Sequence, residues 1–267
     1  MPTALPLQQH PSFADALRAV GTHVQTVNLP GAAPIIALRR FRFFFASRGP
    51  VWNADATPDA HALRASPLRV FNAECAGPIY RAAGFRQIMT PASVAELSLT
   101  GSATDRLARA RPKWRHCLKP HRFHIQHQHF DHQRHQWLLE ADSAQQRGKG
   151  FRALPHALTC AFAAMHRKST HLWTAQQGGQ PIAAMLFLAH PPVATYHIGW
   201  SAQEGRRSNA HHHLLMAAAD HFADAGLQRL DLGTVDTENA PGLARFKIGA
   251  GATVRPLGGT WLRIPGL

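Results

Sequence analysis

The stretch "LDLGTVDTENAPGLARFKIGAGATVRPLGG", from Leu230 to Gly259, carries the pattern that decides the fold. It begins as a strand in which Asp231 alternates with leucines, and a polar loop follows. Lys247 then stands in an apolar, glycine-rich approach to closing strands. Such strands need no lysine there, so Lys247 marks a candidate site. Gly249 and Gly251 would let the backbone turn tightly behind it.

The patterns before this stretch predict a second α/β unit. A helix begins near Pro155, two strands flank the turn "QGGQ", and a third strand follows "HPP". The polar loop "AQEGRRSNA" then leads into the helix "HHHLLMAAADHFADAG". We therefore predict a C-terminal lobe over residues 151–267.

The first hundred residues are also predicted to form an α/β unit. The helix "SFADALRAVG" has its stop at Gly21, and strands follow with turns at Gly31 and Gly84. These patterns predict a smaller, reduced N-terminal lobe over residues 1–100.

Residues 101–150 are more basic than the flanking sequence. We predict that they form a connecting segment made of helices and a strand. Its first part, Arg106–Lys119, has a helical apolar stripe interrupted by Pro112. The alternating "FHIQHQHF" predicts a strand, and a helix is expected to begin at Asp131 as its N-cap and end near Gly148.

The charge balance points to an anionic partner. The 267 residues contain 29 Lys and Arg against 15 Asp and Glu, a formal net charge of +14. Nucleic acid, a phosphate-bearing cofactor or an anionic membrane surface would suit such a protein. An arginine-rich and alanine-rich composition can also reflect genome base composition. The charge alone therefore does not identify the partner.

Cysteine usage and hydropathy indicate a cytoplasmic protein. Cys75, Cys117 and Cys160 are odd in number and form no CxxC pair, which argues against a disulfide framework and a structural zinc site. The N-terminal residues lack the pattern of a signal peptide. No apolar run approaches the roughly 20 residues of a membrane helix, so we expect no stable membrane insertion. The sequence does not determine an oligomeric state.

The histidines are numerous, and we expect them to bind no metal. His127 and His129 would share one face of a strand, as metal ligands could. No carboxylate or cysteine is spaced to complete such a site, and the run at residues 211–213 spreads over different faces of a helix. Solvated histidines at the rim of a cleft are the expected arrangement.

Four stretches together resemble the GNAT acyltransferase superfamily, and within it the FemAB/FemX-like branch. They are "LQQHPSFADALRAVG", "SRGPVW", "RPKWRHCLKP" and the stretch that begins "LDLGTVD". The resemblance implies two GNAT-like lobes with mixed, mostly antiparallel sheets flanked by helices. It also implies transfer of an acyl or aminoacyl group to an amine. The donor would be acyl-CoA, as in GNAT proteins proper, or aminoacyl-tRNA, as in FemAB-like enzymes.

The resemblance assigns Lys247 to the transfer site. "RFKIGAG" is similar to the "FK-x-x-FG" signature of FemAB-like enzymes, with Ala250 in place of the second aromatic residue. A lysine there would stabilise negative charge on the donor or the intermediate. The alternative is a lysine that extends from a helix–strand junction to solvent. Phe246 would contact substrate or belong to the core.

The loop "EGRRSNA" occupies the position of the GNAT pyrophosphate-binding turn. The resemblance therefore assigns donor binding to five consecutive residues: Arg206, Arg207, Ser208, Asn209 and Ala210. The second glycine of the usual pattern is absent, which weighs against coenzyme A. The alternative is a solvated basic turn in which Ser208 or Asn209 caps the next helix.

Five further residues are candidates for acid–base work and substrate binding. Asp236 or Glu238 could accept the proton of the attacking amine. Asp231 could face the cleft, and Arg48 and Arg115 could bind a substrate phosphate or carboxylate.

Two alternatives to a FemAB-like enzyme stay open at this point. One is a plain acyl-CoA-dependent N-acetyltransferase acting on a small amine. The other is a non-catalytic basic module that binds nucleic acid or an anionic surface through the Arg106–Lys119 helix.

Overall fold

The computed structural model describes residues 4–150 and 153–264 in two compact units. The first unit comprises the described residues up to Val94 and those from Arg255 onward. The second unit is Ala95–Val254. Each unit is built on its own mixed sheet flanked by helices, which confirms the predicted α/β class.

The elements alternate along the whole chain. The helices are α1 (Pro11–Ala19), α2 (Ala60–Ala65), α3 (Ile79–Ala82), α4 (Ala103–Arg109), α5 (Pro112–Arg115), α6 (Gln136–Lys149), α7 (His156–Met165), α8 (Gln203–Arg207), α9 (Ala210–Asp224) and α10 (Pro241–Gly249). The strands are β1 (Val24–Val27), β2 (Ile35–Arg40), β3 (Phe43–Ala46), β4 (Leu68–Ala73), β5 (Arg86–Met89), β6 (Ser93–Ser98), β7 (His124–His129), β8 (Thr170–Gln177), β9 (Gln180–His190), β10 (Val193–Ser201), β11 (Arg229–Val235), β12 (Thr253–Pro256) and β13 (Gly259–Leu262).

The first unit has a six-stranded sheet in the order β1-β2-β3-β4-β13-β5. Its strands pair antiparallel except β3 and β4, which are parallel. Aromatic rings form the centre of its core: Phe71 packs against Tyr80 and Phe85 with ring centroids 5.0 and 4.8 Å apart.

The last strand belongs to the first unit, which corrects the predicted boundary of the C-terminal lobe at residues 151–267. Strand β13 lies between β4 and β5 and pairs antiparallel with both. Trp261 is buried and its ring lies 5.2 Å from that of Tyr80. Asn72 on β4 donates a hydrogen bond to the hydroxyl of Thr260 at 2.8 Å. The terminal strand therefore supplies core to the sheet that begins the chain.

The second unit has a seven-stranded sheet in the order β12-β6-β11-β10-β9-β8-β7. Helix α9 covers β8, β9 and β10, and buried Leu214, Leu215 and Phe222 on α9 join the core cluster of this unit. Strands β10 and β11 are parallel, and their ladder pairs residues 193–195 with residues 229–231.

The predicted connecting segment, residues 101–150, is part of the second unit rather than a separate piece. Strand β7 continues the sheet as its outermost strand, and it pairs with β8 over its full length. Helix α6 packs against β10. The segment is basic, but its strand completes the same sheet as the downstream residues.

Two local predictions in this segment are corrected. Pro112 separates two short helices, α4 and α5, because proline has no backbone N–H to continue a helix. Asp131 is not the N-cap of α6, which has His135 in that position. The Asp131 carboxylate instead accepts hydrogen bonds from the backbone N–H groups of Gln133 and Arg134, and so forms a turn before the helix.

Candidate functional site

Lys247 lies on helix α10, not in the approach to a strand as the glycine pattern suggests. Pro241 is at the first position of this helix, where its missing N–H costs no hydrogen bond. The Lys247 side chain is buried, with 4% of the residue exposed. Its Nζ donates a hydrogen bond to the backbone carbonyl of Thr234 at 2.7 Å. The lysine therefore extends from α10 toward the end of β11, and not into solvent.

Asp231 on β11 is the acidic residue whose charge acts on Lys247. It is 1% exposed and is the last residue of the parallel ladder with β10. Its Oδ1 accepts a hydrogen bond from the backbone N–H of Gly233 at 2.8 Å. Burial lowers the pKa of Lys247 to about 8, and the nearby charge of Asp231 opposes that shift. The ammonium is thus charged at neutral pH in a poorly solvated position, where a charge acts strongly on a neighbouring group.

Phe246 is half-buried and packs in an aromatic cluster beside this lysine. Its ring centroid lies 6.0 Å from that of Trp114 on α5 and 5.1 Å from that of His212 on α9. Burial lowers the pKa of His212 to about 4, so its ring is neutral at physiological pH. The structure places Phe246 at the margin of the core, where it anchors α10 against α5 and α9.

The predicted phosphate-binding loop is partly helical. Residues 203–207 form α8, and Asn209 follows as the N-cap of α9 with a left-handed backbone, φ 55°. Asn209 makes no side-chain cap, and the Ser208 hydroxyl donates to the carbonyl of Glu204 at 2.8 Å. Asn209 therefore occupies the N-cap position of α9 without a capping side-chain hydrogen bond, and Ser208 does not cap this helix. Ala210 is buried as the first residue of α9.

The two arginines of this turn differ in their surroundings. Arg206 is exposed, and its Nη1 donates a hydrogen bond to the carbonyl of Ser201 at 2.5 Å, which ties α8 to the end of β10. Arg207 lines a pocket. Arg207 is thus the better placed of the two to meet a ligand.

This pocket has a volume of about 360 Å³ and lies in the second unit, beside the start of α9. Its basic side chains come from two parts of the sequence: Lys119, His121, Arg122 and Arg207. Ser208 and Asn209 also line it. Arg122 was not among the predicted binding residues, and Lys119 was named only as the end of the Arg106–Lys119 helix in the non-catalytic alternative. The run of basic residues after Trp114 was the available signal.

The two loop carboxylates after β11 have different environments. Asp236 is exposed, and its carboxylate accepts hydrogen bonds from the backbone N–H groups of Glu238 and Asn239 and from the Asn239 amide. The bonds from Asn239 lower the pKa of Asp236, which weakens it as a proton acceptor. Asp236 shapes the loop, and Glu238 is exposed on it.

Arg48 lies in the first unit, paired with buried Glu74. Its Nε and Nη2 donate to the two carboxylate oxygens of Glu74 at 2.7 and 2.9 Å. Arg255 also contacts the Glu74 carboxylate. The structure therefore places Arg48 in a buried ionic cluster with Glu74 and Arg255, whereas the sequence predicts a contact with a substrate phosphate or carboxylate.

The arginines of the Arg106–Lys119 segment largely bond to the protein itself. Arg106 is 5% exposed, and its Nη2 lies 2.6 Å from the Asp220 carboxylate on α9. Arg109 donates to the carbonyls of Ser98 and Thr100, 3.1 and 2.8 Å away. These bonds hold α4 in place and leave fewer charges for an anionic surface than the sequence implies.

Arg115 also donates hydrogen bonds to backbone carbonyls of the protein. Its Nη1 donates to the backbone carbonyls of Ala108 and Ala110, at 3.0 and 2.8 Å. These two bonds join α4 to α5 at their junction, so Arg115 holds the backbone there through Nη1.

Across the part of the chain that the structure describes, no helix is long and apolar enough to span a bilayer.

A family model for the acetyltransferase (GNAT) domain matches residues 102–247, more than half of the chain. The match ends at Lys247 and includes α9, β11 and the residues of the basic pocket. No protein of curated function shows a significant sequence match.

Solved structures share the fold at low sequence identity. The crystal structure of FemX has a TM-score of 0.72 and 12% identity, and the alignment covers 96% of this chain and 93% of that one. L-PGS from Bacillus licheniformis gives 0.52 and 12%, with 97% and 93% covered. A GCN5-related N-acetyltransferase from Kribbella flavida gives 0.50 and 12%, with 97% of each chain covered. The predicted GNAT-like fold of the FemX type is therefore confirmed.

Proposed function

The chain belongs to the acetyltransferase (GNAT) family, and from that premise we propose that it transfers an acyl or aminoacyl group from a phosphate-bearing donor to an amine. The observation that carries the proposal is the basic pocket beside the start of α9. The activated donors of such transfers bear phosphates, and their transfer sites need a means of stabilising an oxyanion.

The pocket has the chemistry of a donor phosphate site. Lys119, Arg122 and Arg207 supply charge, and Ser208 adds a hydroxyl. Ser208 and Asn209 have near-helical and left-handed backbones in succession. The backbone N–H groups of these two residues already donate to the carbonyls of Glu204 and Arg206, so the turn favours an anion through the positive end of the α9 dipole.

Two donors share this chemistry, acyl-CoA and aminoacyl-tRNA. The family match favours acyl-CoA. The net charge of +14 and the resemblance of "RFKIGAG" to FemAB-like enzymes favour aminoacyl-tRNA, since a long polyanion gains from charge spread over a surface. Each presents phosphates and an activated carbonyl, so one pocket could serve either.

Lys247 stabilises the charge that develops during transfer. The amine nitrogen attacks the carbonyl carbon, and the thioester or ester bond to the donor then breaks. The intermediate carries an oxyanion, which a buried ammonium close by would stabilise more than bulk water does. One Nζ proton is used by the Thr234 carbonyl, and two more remain to be donated.

Glu238 accepts the proton that the amine loses, directly or through water, and the proton passes to the departing thiol or hydroxyl. Asp236 acts as a positioning residue, because its hydrogen bonds fix the backbone of Glu238. Asp231 keeps the nearby lysine charged, and Phe246 holds the helix that carries it. The acceptor is an amine.

A binding titration tests this proposal. Acetyl-CoA, aminoacyl-tRNA and buffer alone are added separately, and the thermal midpoint and affinity are measured. A ligand of the native state raises the midpoint by mass action. We expect one donor to do so. Arg207→Ala and Lys119→Ala should each weaken its binding about tenfold, since a lost charged hydrogen bond costs about 1.4 kcal/mol or more.

The matched control is Arg147→Ala, which removes an exposed arginine of α6 outside the pocket. Equal weakening by all three variants would indicate general electrostatics and contradict the pocket. Binding of RNA that weakens steeply with salt, without any transfer to an amine, would instead support the non-catalytic module.

A further inference from the structure

Three histidines that are far apart in sequence meet at the edge of the second unit. His127 lies on β7, His171 on β8 and His221 on α9. One ring nitrogen of each falls within 4.8 Å of the others. Within residues 4–150 and 153–264, this is the single group of three metal-ligating side chains so arranged.

The spacing of their nitrogens is close to that of a metal centre. His127 Nε2 lies 3.0 Å from His171 Nδ1. Two ligands of a tetrahedral zinc ion, each bound at about 2.05 Å, lie about 3.3 Å apart. An ion would replace the hydrogen bond between these two nitrogens, and the ligand nitrogen of His221 already lies within 4.8 Å of both.

The surroundings hold the rings in place. Trp173 stacks on His127, with centroids 4.2 Å apart and planes at 15°. His171 is 8% exposed, and its ring stacks with that of Trp173 with planes at 19°. The ring of His129, 5.1 Å from that of His171, lies beside the group.

We propose that His127, His171 and His221 bind one divalent transition-metal ion of the zinc class. Imidazole nitrogen suits zinc, copper and nickel ions, whereas magnesium and calcium prefer oxygen ligands. The ion would join the outermost strand, β7, to its neighbour β8 and to α9, and water or His129 would complete its coordination.

The site is separate from the donor pocket. His221 lies eleven residues after Ala210 on α9, which corresponds to about 16 Å along the helix at 1.5 Å per residue. An edge strand has pairing partners on one side only, so a cross-link there resists opening of the sheet. The expected role of the ion is therefore to stabilise the second unit, and not to take part in acyl transfer.

The test uses the whole chain, freed of metal with a chelator and titrated with Zn²⁺ by calorimetry. We expect a stoichiometry of about one for the tight site. His127→Gln and His221→Gln should each weaken that binding at least about tenfold, because loss of a ligand exceeds the loss of an outer-shell partner. Titration with Co²⁺ should give the visible absorption of a tetrahedral ion in the unchanged protein and not in these two variants.

His124→Gln is the matched control, because it removes an exposed histidine from the opposite face of the same strand. It should leave the stoichiometry and the Co²⁺ spectrum unchanged. His127 and His221 are not fully buried, so the Gln variants should keep their far-ultraviolet circular dichroism. Zn²⁺ binding that the control weakens as much as the ligand variants, or no tight site in the unchanged protein, would overturn the proposal.

Discussion

At the scale of single residues, burial decides what each charged side chain can do. Lys247 and Arg48 are both buried cations, yet their partners differ. Arg48 forms a bidentate ion pair with Glu74 through two hydrogen bonds. Lys247 bonds to a backbone carbonyl and lies near Asp231, and its pKa falls. Perturbed pKa values of this kind cluster at functional sites, whereas bidentate ion pairs serve structure as well.

The pH dependence of turnover follows from Lys247. Its pKa of about 8 means that the ammonium is present below that pH and is lost as the pH rises through it. Turnover at saturating donor should therefore have an alkaline limb near pH 8. Arginine stays charged throughout this range, so residual activity in Lys247→Arg should lack that limb. A profile of kcat against pH checks this, and an identical limb in the variant would contradict it.

Arg48→Ala should destabilise the protein rather than impair substrate binding. Arg48→Ala leaves Glu74 with Arg255 as its cationic partner, so we expect the loss of the two charged hydrogen bonds to cost about 1.5–3 kcal/mol. Chemical denaturation measures the loss, with Arg42→Ala as the control for an exposed arginine nearby. If Arg48→Ala keeps the free energy of unfolding and raises KM instead, Arg48 contacts substrate as the sequence resemblance implies.

At the scale of elements, the order of helices and strands was predictable, whereas the positions of turns and caps were less so. Periodicity gave α9, β8, β9 and β11, because a helix or strand with one buried face repeats its apolar residues. It missed α8, since four polar residues and a glycine carry no apolar stripe. Asn209 takes the left-handed backbone for which glycine is usual, and asparagine tolerates it well. The missing glycine therefore does not abolish the turn.

Gly249 is required by packing and not by a turn. A Cβ at this position on α10 would lie 2.6 Å from Trp114 Cδ1. Gly249→Ala should therefore destabilise the protein by about 1–3 kcal/mol through overpacking. Gly148→Ala is the matched control, because that helical glycine has open space and should stabilise the protein by about 0.5–1 kcal/mol. Denaturant midpoints measure both, and equal effects of the two changes would contradict the packing account.

At the scale of the whole molecule, the sequence predicted two α/β lobes but placed the boundary wrongly at the end. Local patterns identify β13 as a strand, yet they carry no information about which sheet it joins. That choice depends on long-range pairs such as Asn72 with Thr260. The histidine cluster was missed for the same reason, because spacing along β7 cannot reveal His171 or His221.

Trp261→Ala should weaken the first unit more than the second. The side chain is buried against Tyr80, and deletion of a buried tryptophan costs about 3–5 kcal/mol. Hydrogen exchange should therefore rise in β4, β5 and β13 and change less in β8 to β10. Trp261→Phe keeps a ring at the position and should have a smaller effect. Exchange that rises equally in both sheets would contradict the division into two units.

The most direct test of the account is the rate of acyl transfer by Lys247→Ala, measured with the donor that binds the basic pocket. Arg245→Ala, an exposed residue two positions earlier on α10, is the control. We predict that Lys247→Ala stays folded and loses about 10²-fold or more in kcat, as expected when a stabiliser of the oxyanion is removed. Arg245→Ala should keep its rate. Equal rates for the folded Lys247→Ala variant and the unchanged protein would contradict the assignment of Lys247 to the transfer site.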